Sequence, residues 1–172
     1  MLYMIVADLH GNESAYEEIR DAAIAIKPDK LLFLGDFGGD SKWINNVVLD
    51  RIYCTLLGVR GNNDTASFME SLNLGEQGRF YTEETDGRTL FFTHGHLYGR
   101  TGIPPVLGDG DVIFYGHYHF PEIYREHGVW HVCVGSAGLP TMGTEPTYCL
   151  FDGASIRLIS LKTGETISEQ SI

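Results

Sequence analysis

Three times in its first 64 residues the chain runs through a short apolar stretch and stops at Gly, Asp or Asn. Leu2 to Ala7 stops at Asp8, Leu31 to Leu34 at Gly35-Asp36, and Ile52 to Gly58 near Arg60-Gly61-Asn62-Asn63-Asp64. Short apolar runs bounded by such residues read as buried strands. Between the first two, Ala15, Ile19, Ala22, Ala23 and Ile26 fall at helical spacing. Ser14-Ala15-Tyr16-Glu17 fits a capping box and Pro28 ends the helix. Trp43, Val47 and Val48, after Gly38-Gly39, suggest a second, shorter helix. The order β-α-β-α-β constrains this part to a parallel sheet, because parallel strands need long crossover connections.

From about Phe80 strands dominate. Phe80 to Thr85 and Thr89 to Thr93 flank Asp86-Gly87, a pair suited to a two-residue primed turn. Further strands are expected at Asp111 to Tyr115, Glu122 to Glu126, Val129 to Val134, Tyr148 to Phe151 and Ser155 to Leu161. Gly99 to Gly110, with Pro104-Pro105 inside it, reads as a loop holding at most one helical turn. No repeat or linker interrupts residues 1–172, and a chain of 172 residues buries about 70 % of its surface, so one domain is expected. Phe37, Trp43 and Phe68 read either as core or as a surface through which copies of the chain associate.

Charge and apolar content exclude several classes. Twelve Lys and Arg against 23 Asp and Glu leave a net charge of −11, which repels nucleic acid and anionic membrane. No apolar run approaches the ~18 residues of a membrane span, and Met1 to Ala7 lacks the basic start of a signal peptide. Cys54, Cys133 and Cys149 sit in apolar stretches without C-x-x-C spacing, as reduced thiols of a cytoplasmic protein do.

The chemistry-bearing residues cluster where the apolar runs end. Asp8-Leu9-His10, Gly35-Asp36, Gly61-Asn62-Asn63-Asp64, His94-Gly95-His96 and Gly116-His117-Tyr118-His119 hold five of the seven histidines. Ligands of open α/β sheets bind beyond the carboxyl ends of the strands, where these residues fall. On extended backbone, positions i and i+2 face one side, so Asp8 with His10 and His117 with His119 are expected to share a pocket. Asp8, His10, Asp36, Asn62, His94, His117 and His119 are seven candidate ligands of imidazole, carboxylate and amide type, without thiolate. That set suits Mn²⁺, Fe²⁺, Ni²⁺, Co²⁺ or Zn²⁺ and is enough for two ions sharing a carboxylate. Two such ions with two carboxylates and a bridging hydroxide carry a charge of about +1, which attracts a phosphoryl group. His127 and His131 lie outside the clusters and read as ordinary turn and strand residues.

In this order, Asp8-x-His10, Gly35-Asp36, Gly61-Asn62-x-Asp64, His94 and Gly116-His117-x-His119 resemble the calcineurin-like metallophosphoesterases. Arg60-Gly61-Asn62, Phe92-Thr93-His94-Gly95-His96 and Tyr115-Gly116-His117 are similar to the small bacterial and archaeal phosphodiesterases within them. The resemblance implies a four-layer α/β/β/α sandwich with two packed mixed β-sheets and a dinuclear centre at the strand ends. Carried over, it gives one ion to Asp8, His10 and His119 and the other to Asn62, His94 and His117, with Asp36 shared. It implies a phosphodiesterase using a metal-bridging hydroxide, with Mn²⁺ first among the candidate ions and a small phosphoester as substrate.

Two positions depart from that pattern. Asn63 stands where many members of the superfamily carry a His that can protonate the leaving oxygen, and where the small subfamily often has Cys. An amide cannot protonate a leaving group, so aryl esters are expected to react best, with His96 as a substitute acid or a phosphate contact. Val134-Gly135-Ser136 replaces the subfamily's Asn-Pro-Gly-Ser. Asp64 reads as an organiser of the loop behind Asn62, and Arg60 as a phosphate contact or half of a salt bridge. Alternatives are a phosphomonoesterase of the same fold and a non-catalytic scaffold for protein partners, as in a retromer subunit of similar fold. The filled ligand set speaks for an enzyme, and a nuclease would want a basic groove that this acidic chain lacks.

Overall fold

A computed structural model describes residues 1–172. Seven strands form the first sheet, in the order β12-β11-β10-β1-β2-β3-β4. Its parallel half is β1 (Tyr3–Val6), β2 (Lys30–Phe33), β3 (Thr55–Gly58) and the two-residue β4 (Gly75–Glu76). β10 (Thr147–Phe151), β11 (Ser155–Ser160) and β12 (Thr166–Ser171) extend it antiparallel beyond β1. The second sheet runs β5-β6-β7-β9-β8 and is also mixed. Its strands are β5 (Phe80–Thr85), β6 (Arg88–Thr93), β7 (Val112–Tyr115), β8 (Pro121–Glu126) and β9 (Val129–Val134). Asp86 and Gly87 both take positive φ, 50° and 78°, as the primed turn between β5 and β6 requires.

Strand alternation divides the apolar residues among three cores. Tyr3 and Ile5 of β1 point between the sheets, against Phe92, Phe114, Val132 and Val134. Met4 and Val6 point the other way, onto Tyr16 and Ile19 of α1 (Glu13–Ile26). On the outer face of the second sheet, Phe91, Ile113, Tyr115 and Cys133 pack beneath Tyr98, Ile103 and Leu107. β1, β7 and the Leu90-Phe91-Phe92 stretch of β6 are covered on both faces, which is why they read as unbroken apolar runs. The sandwich of two packed mixed sheets agrees with expectation. Its helices lie over the seven-stranded sheet, and the segment from Tyr98 to Leu107 supplies the layer over the other.

Several local details differ from the sequence reading. The helix cap is Asn12, not Ser14: the Asn12 side chain accepts from the Ala15 amide at 3.2 Å, and Ser14 instead bonds Glu18 within the first turn. Lys27 in left-handed conformation ends α1 just before Pro28. The second helix, α2 (Ser41–Trp43), runs on through a π turn (Ile44–Val48) and a 3-10 turn (Leu49–Arg51). The short α3 (Ala66–Glu70), β4 and β12 carried no periodic apolar signal long enough to read; β12 is an almost wholly exposed edge strand. Phe37 is fully buried, and Trp43 and Phe68 pack onto the same core, which resolves their reading in favour of core. No helix is long and apolar enough to cross a membrane.

Candidate metal centre

The carboxyl ends of β1, β2, β3, β6 and β7 open toward one another at one end of the sandwich. Backbone bonds stitch the loops there. The Asp8 amide donates to the Gly35 carbonyl (3.1 Å), His10 to Asp36 (3.0 Å), Gly11 to Phe37 (2.8 Å) and Gly116 to His94 (2.9 Å). Glycine is needed where loops touch: a Cβ on Gly61 would lie 2.2 Å from Asp36 Oδ1, and one on Gly116 would lie 2.5 Å from Asp8 Oδ2.

Five of the seven candidate ligands have left-handed backbone: Asp8 (φ 54°), His10 (46°), Asp36 (53°), His117 (69°) and His119 (61°). Non-glycine residues reach this region at a cost of about 1 kcal/mol or more each, and they concentrate where function over-determines the backbone. The i, i+2 argument from extended strands therefore gives the right pairs for the wrong reason. Asp8 with His10, and His117 with His119, lie beyond their strands in left-handed turns.

The side chains converge. Asp8 Oδ1 lies 3.3 Å from His119 Nε2, 3.6 Å from His10 Nε2 and 3.9 Å from His94 Nε2. Asp36 Oδ2 lies 3.4 Å from His94 Nε2 and 3.6 Å from His10 Nε2. Asn62 Oδ1 is 2.9 Å from His94 Nε2, and the His117 ring stands edge-on to His94 with centroids 5.1 Å apart. Asp8, His10 and His119 form one group with the spacing of metal ligands, and Asp8, Asp36 and His94 another. Asp8 thus belongs to both groups geometrically, beyond the single ion that the family resemblance implies for it.

Outer contacts orient three of the candidate ligands. His94 Nδ1 meets the Leu34 carbonyl and His119 Nδ1 the Leu139 carbonyl, both at 2.7 Å. A carbonyl only accepts, so both rings carry hydrogen on Nδ1 and turn Nε2 inward. The His117 amide donates to Asp8 Oδ2 at 2.7 Å, while Asp8 Oδ1, fully buried, has no hydrogen-bond partner. A buried carboxylate oxygen without a proton donor, ringed by imidazole nitrogens, fits a divalent cation.

Charge tells the same story. Burial pushes the Asp8 and Asp36 carboxyls up, but the facing imidazoles, with Asn63 at Asp36, outweigh it and hold both below the usual carboxylate range. The Asp8 carboxylate, facing its ring, holds His119 above the usual imidazole value. Burial depresses His94, and Asp36 and Asp8 more than reverse that.

The remaining candidates resolve as follows. Asp64 accepts from the Asp36 and Gly61 amides through Oδ2 (2.7 and 2.8 Å) and from Phe37 through Oδ1 (3.0 Å), behind the loop as expected. Arg60 has no carboxylate partner, and its Nε is buried without an acceptor. His96 Nε2 is 3.0 Å from Arg79 Nη1. A guanidinium only donates, so the imidazole accepts and is neutral, held low by burial and by His94 and Arg79. That arrangement suits a contact better than a proton donor. His131 is buried in β9, stacked on Tyr124 at 4.7 Å, away from the centre.

Sequence reasoning passed over Arg79 and Ser136. Ser136, fully buried, donates to the Asp8 carbonyl (2.7 Å) and accepts from the Leu139 amide (2.8 Å), tying the Asp8 loop to the loop whose Leu139 carbonyl meets His119. Its only signal was the changed Val134-Gly135-Ser136 stretch. Arg79 precedes β5 outside every motif.

The chain is similar to known proteins along its whole length. The chain is 26% identical to Phosphodiesterase YfcE of Escherichia coli K12, with 100% of this chain and 98% of that relative covered. The solved structure of that phosphoesterase superposes with a TM-score of 0.87 at 26% identity, both chains covered fully. An archaeal phosphodiesterase (TM-score 0.67, 19% identity, all of both chains) and Vps29 of Chaetomium thermophilum (0.66, 18%, 100% and 97%) share the fold. The profile of the Calcineurin-like phosphoesterase superfamily domain matches residues 1–155, and the chain belongs to that superfamily.

Proposed function

We propose that the chain is a metal-dependent phosphodiesterase acting on a small phosphoester at a dinuclear centre. Asp8, His10 and His119 would hold one ion, Asn62, His94 and His117 the other, with Asp36 between them. The observation that carries this reading is Asp8 Oδ1, buried, unpartnered and within 3.9 Å of three imidazole nitrogens. Its neighbour Asp36 Oδ2 lies within 3.6 Å of His10 on one side and His94 on the other, as a shared carboxylate needs. When bound, two divalent ions supply a nucleophilic water at neutral pH and draw charge from the phosphoryl oxygens. Nitrogen and oxygen donors without thiolate suit Mn²⁺, Fe²⁺, Co²⁺, Ni²⁺ or Zn²⁺ alike, and only the family resemblance puts Mn²⁺ first.

The chain's own groups do the positioning. The Leu34 and Leu139 carbonyls aim the His94 and His119 rings, and Asn63 clamps Asp36 from both carboxylate oxygens. Neither Asn63 nor His96 stands ready to protonate a leaving oxygen, because Asn63 is engaged with Asp36 and His96 accepts from Arg79. Aryl esters are therefore the favoured reactants, as general-acid help worth about 10²–10⁴-fold is missing for alkoxide departure. Likeness to Phosphodiesterase YfcE supports a diester. Three free cysteines support a reducing, cytoplasmic setting.

The test is hydrolysis of bis(p-nitrophenyl) phosphate and p-nitrophenyl phosphate by chelator-stripped protein given Mn²⁺. Metal-dependent turnover that favours the diester agrees with the proposal. Preference for the monoester would make the enzyme a phosphomonoesterase, and silence on both with Mn²⁺, Ni²⁺, Co²⁺ and Zn²⁺ would favour the scaffold.

A further inference from the structure

Arg79 sits where the chain passes from one sheet to the other. β4 closes the first sheet at Glu76 and β5 opens the second at Phe80. The intervening backbone is pinned from both sides: Gln77 donates to the Gly58 carbonyl (2.9 Å), Arg60 donates to Gly78 (2.6 Å), and the Thr93 hydroxyl donates to the Arg79 carbonyl (3.2 Å). Gly58 ends β3 and Thr93 ends β6, so Arg79 is held beside the loops that carry Asn62 and His94.

Its partner is unusual for this chain. Carboxylates outnumber Lys and Arg 23 to 12, yet of the eight arginines only Arg20, Arg100, Arg125 and Arg157 are ion-paired, and Arg79, like Arg51, Arg60 and Arg88, is not. Arg79 instead donates Nη1 to the His96 ring, 5.4 Å from His94 and 6.2 Å from His117 between ring centroids. A guanidinium has five N–H donors in a planar fork, so one bond to His96 leaves the others for a second acceptor. Hydrogen bonds from Arg to phosphate oxygens are charge-assisted, often bidentate, and roughly twice as strong as those to neutral acceptors. A phosphoester arriving at the His94 and His117 side thus offers Arg79 better acceptors than it now has.

We infer that Arg79, braced by His96, is a substrate-positioning residue that takes a non-bridging phosphoryl oxygen at the rim of the metal centre. The inference rests on the phosphoesterase reading for its substrate, and the side chain forms no bond in the reaction. His96 then acts as the anchor that holds the fork at the right height.

The experiment uses metal-loaded wild type, Arg79→Gln and Arg79→Lys, with metal content, steady-state kinetics on bis(p-nitrophenyl) phosphate, and calorimetric binding of inorganic phosphate. The expected result is unchanged metal content, with phosphate affinity and kcat/KM lowered about 10- to 100-fold in Arg79→Gln and less in Arg79→Lys. Phosphate binding needs no turnover, so its loss in Arg79→Gln supports the inference even if the wild type proves inactive on diesters. Phosphate affinity within twofold of wild type in Arg79→Gln, at full metal content, overturns it. Wild type that neither binds phosphate nor hydrolyses an ester overturns this inference and the proposed function together.

Discussion

Asn63 holds Asp36 by both carboxylate oxygens: its amide N–H donates to Oδ1 at 3.0 Å and its side-chain Nδ2 to Oδ2 at 2.8 Å. The residue that stands where the family resemblance expects an acid thus serves as a clamp on the proposed shared ligand. Outer contacts of this kind are commonly worth 10- to 100-fold in metal affinity. Asn63→Ala is expected to weaken Mn²⁺ binding by about 10-fold, read by metal titration. Asn63→Asp would set a second carboxylate against Asp36 and weaken it further or raise the Asp36 pKa. Unchanged affinity in both variants would contradict the clamp.

Asp64 stabilises the loop by accepting three backbone N–H groups that have no other partner. Asp64→Ala leaves them buried and unpaired, at about 1–3 kcal/mol apiece before relaxation. Chemical denaturation should show a loss of about 3 kcal/mol or more in the metal-free protein. A loss below about 0.5 kcal/mol would mean that water replaces the carboxylate there.

Gly61 permits the approach of the β3 loop to Asp36. Gly61→Ala places a methyl where Asp36 Oδ1 now sits, 2.2 Å away, against backbone as well as side chain. The variant is expected to fold with the helical layer intact by circular dichroism and yet to lose most bound metal. Full metal content in folded Gly61→Ala would contradict the packing described.

Lys30 and Glu83 join the two sheets through a bond of 2.6 Å from Nζ to Oε1, with the Tyr81 hydroxyl donating to Oε2 at 2.9 Å. Burial raises the Glu83 carboxyl, but Lys30 and Tyr81 pull it below its ordinary value of 4.5. Burial lowers Lys30, and Glu83 more than compensates, leaving it above 10.5. A depressed carboxylate gives stability that is present above about pH 4.5 and lost as pH falls through the lower folded value. The raised amine gives stability present below about pH 10.5 and lost as pH climbs through its folded value. Lys30→Met should cost about 1 kcal/mol at pH 7, with the deficit shrinking as the melting comparison moves toward pH 3. A deficit constant across that range would assign the effect to packing.

What could be read from the sequence was what repeats. Apolar runs buried on both faces, such as those of β1, β6 and β7, announce themselves, and the polar residues at their ends marked all seven candidate ligands. The edges were not readable, since β12 is exposed along nearly its whole length and β4 has two residues. Nor were the supports: the Leu34 and Leu139 carbonyls act through backbone, which no side-chain pattern encodes. Ser136 and Arg79 reach the centre from separate loops, so only the fold brings them there. The left-handed turns at Asp8, His10, His117 and His119 were equally silent, because their backbone bonds reach loops far away in the sequence.

The most direct test of the dinuclear account is metal content and diesterase activity of Asp36→Asn beside wild type and His96→Ala. The account predicts two ions per chain in wild type and in His96→Ala. In Asp36→Asn it predicts loss of at least one ion together with nearly all activity. Two bound ions and full turnover in Asp36→Asn would contradict it.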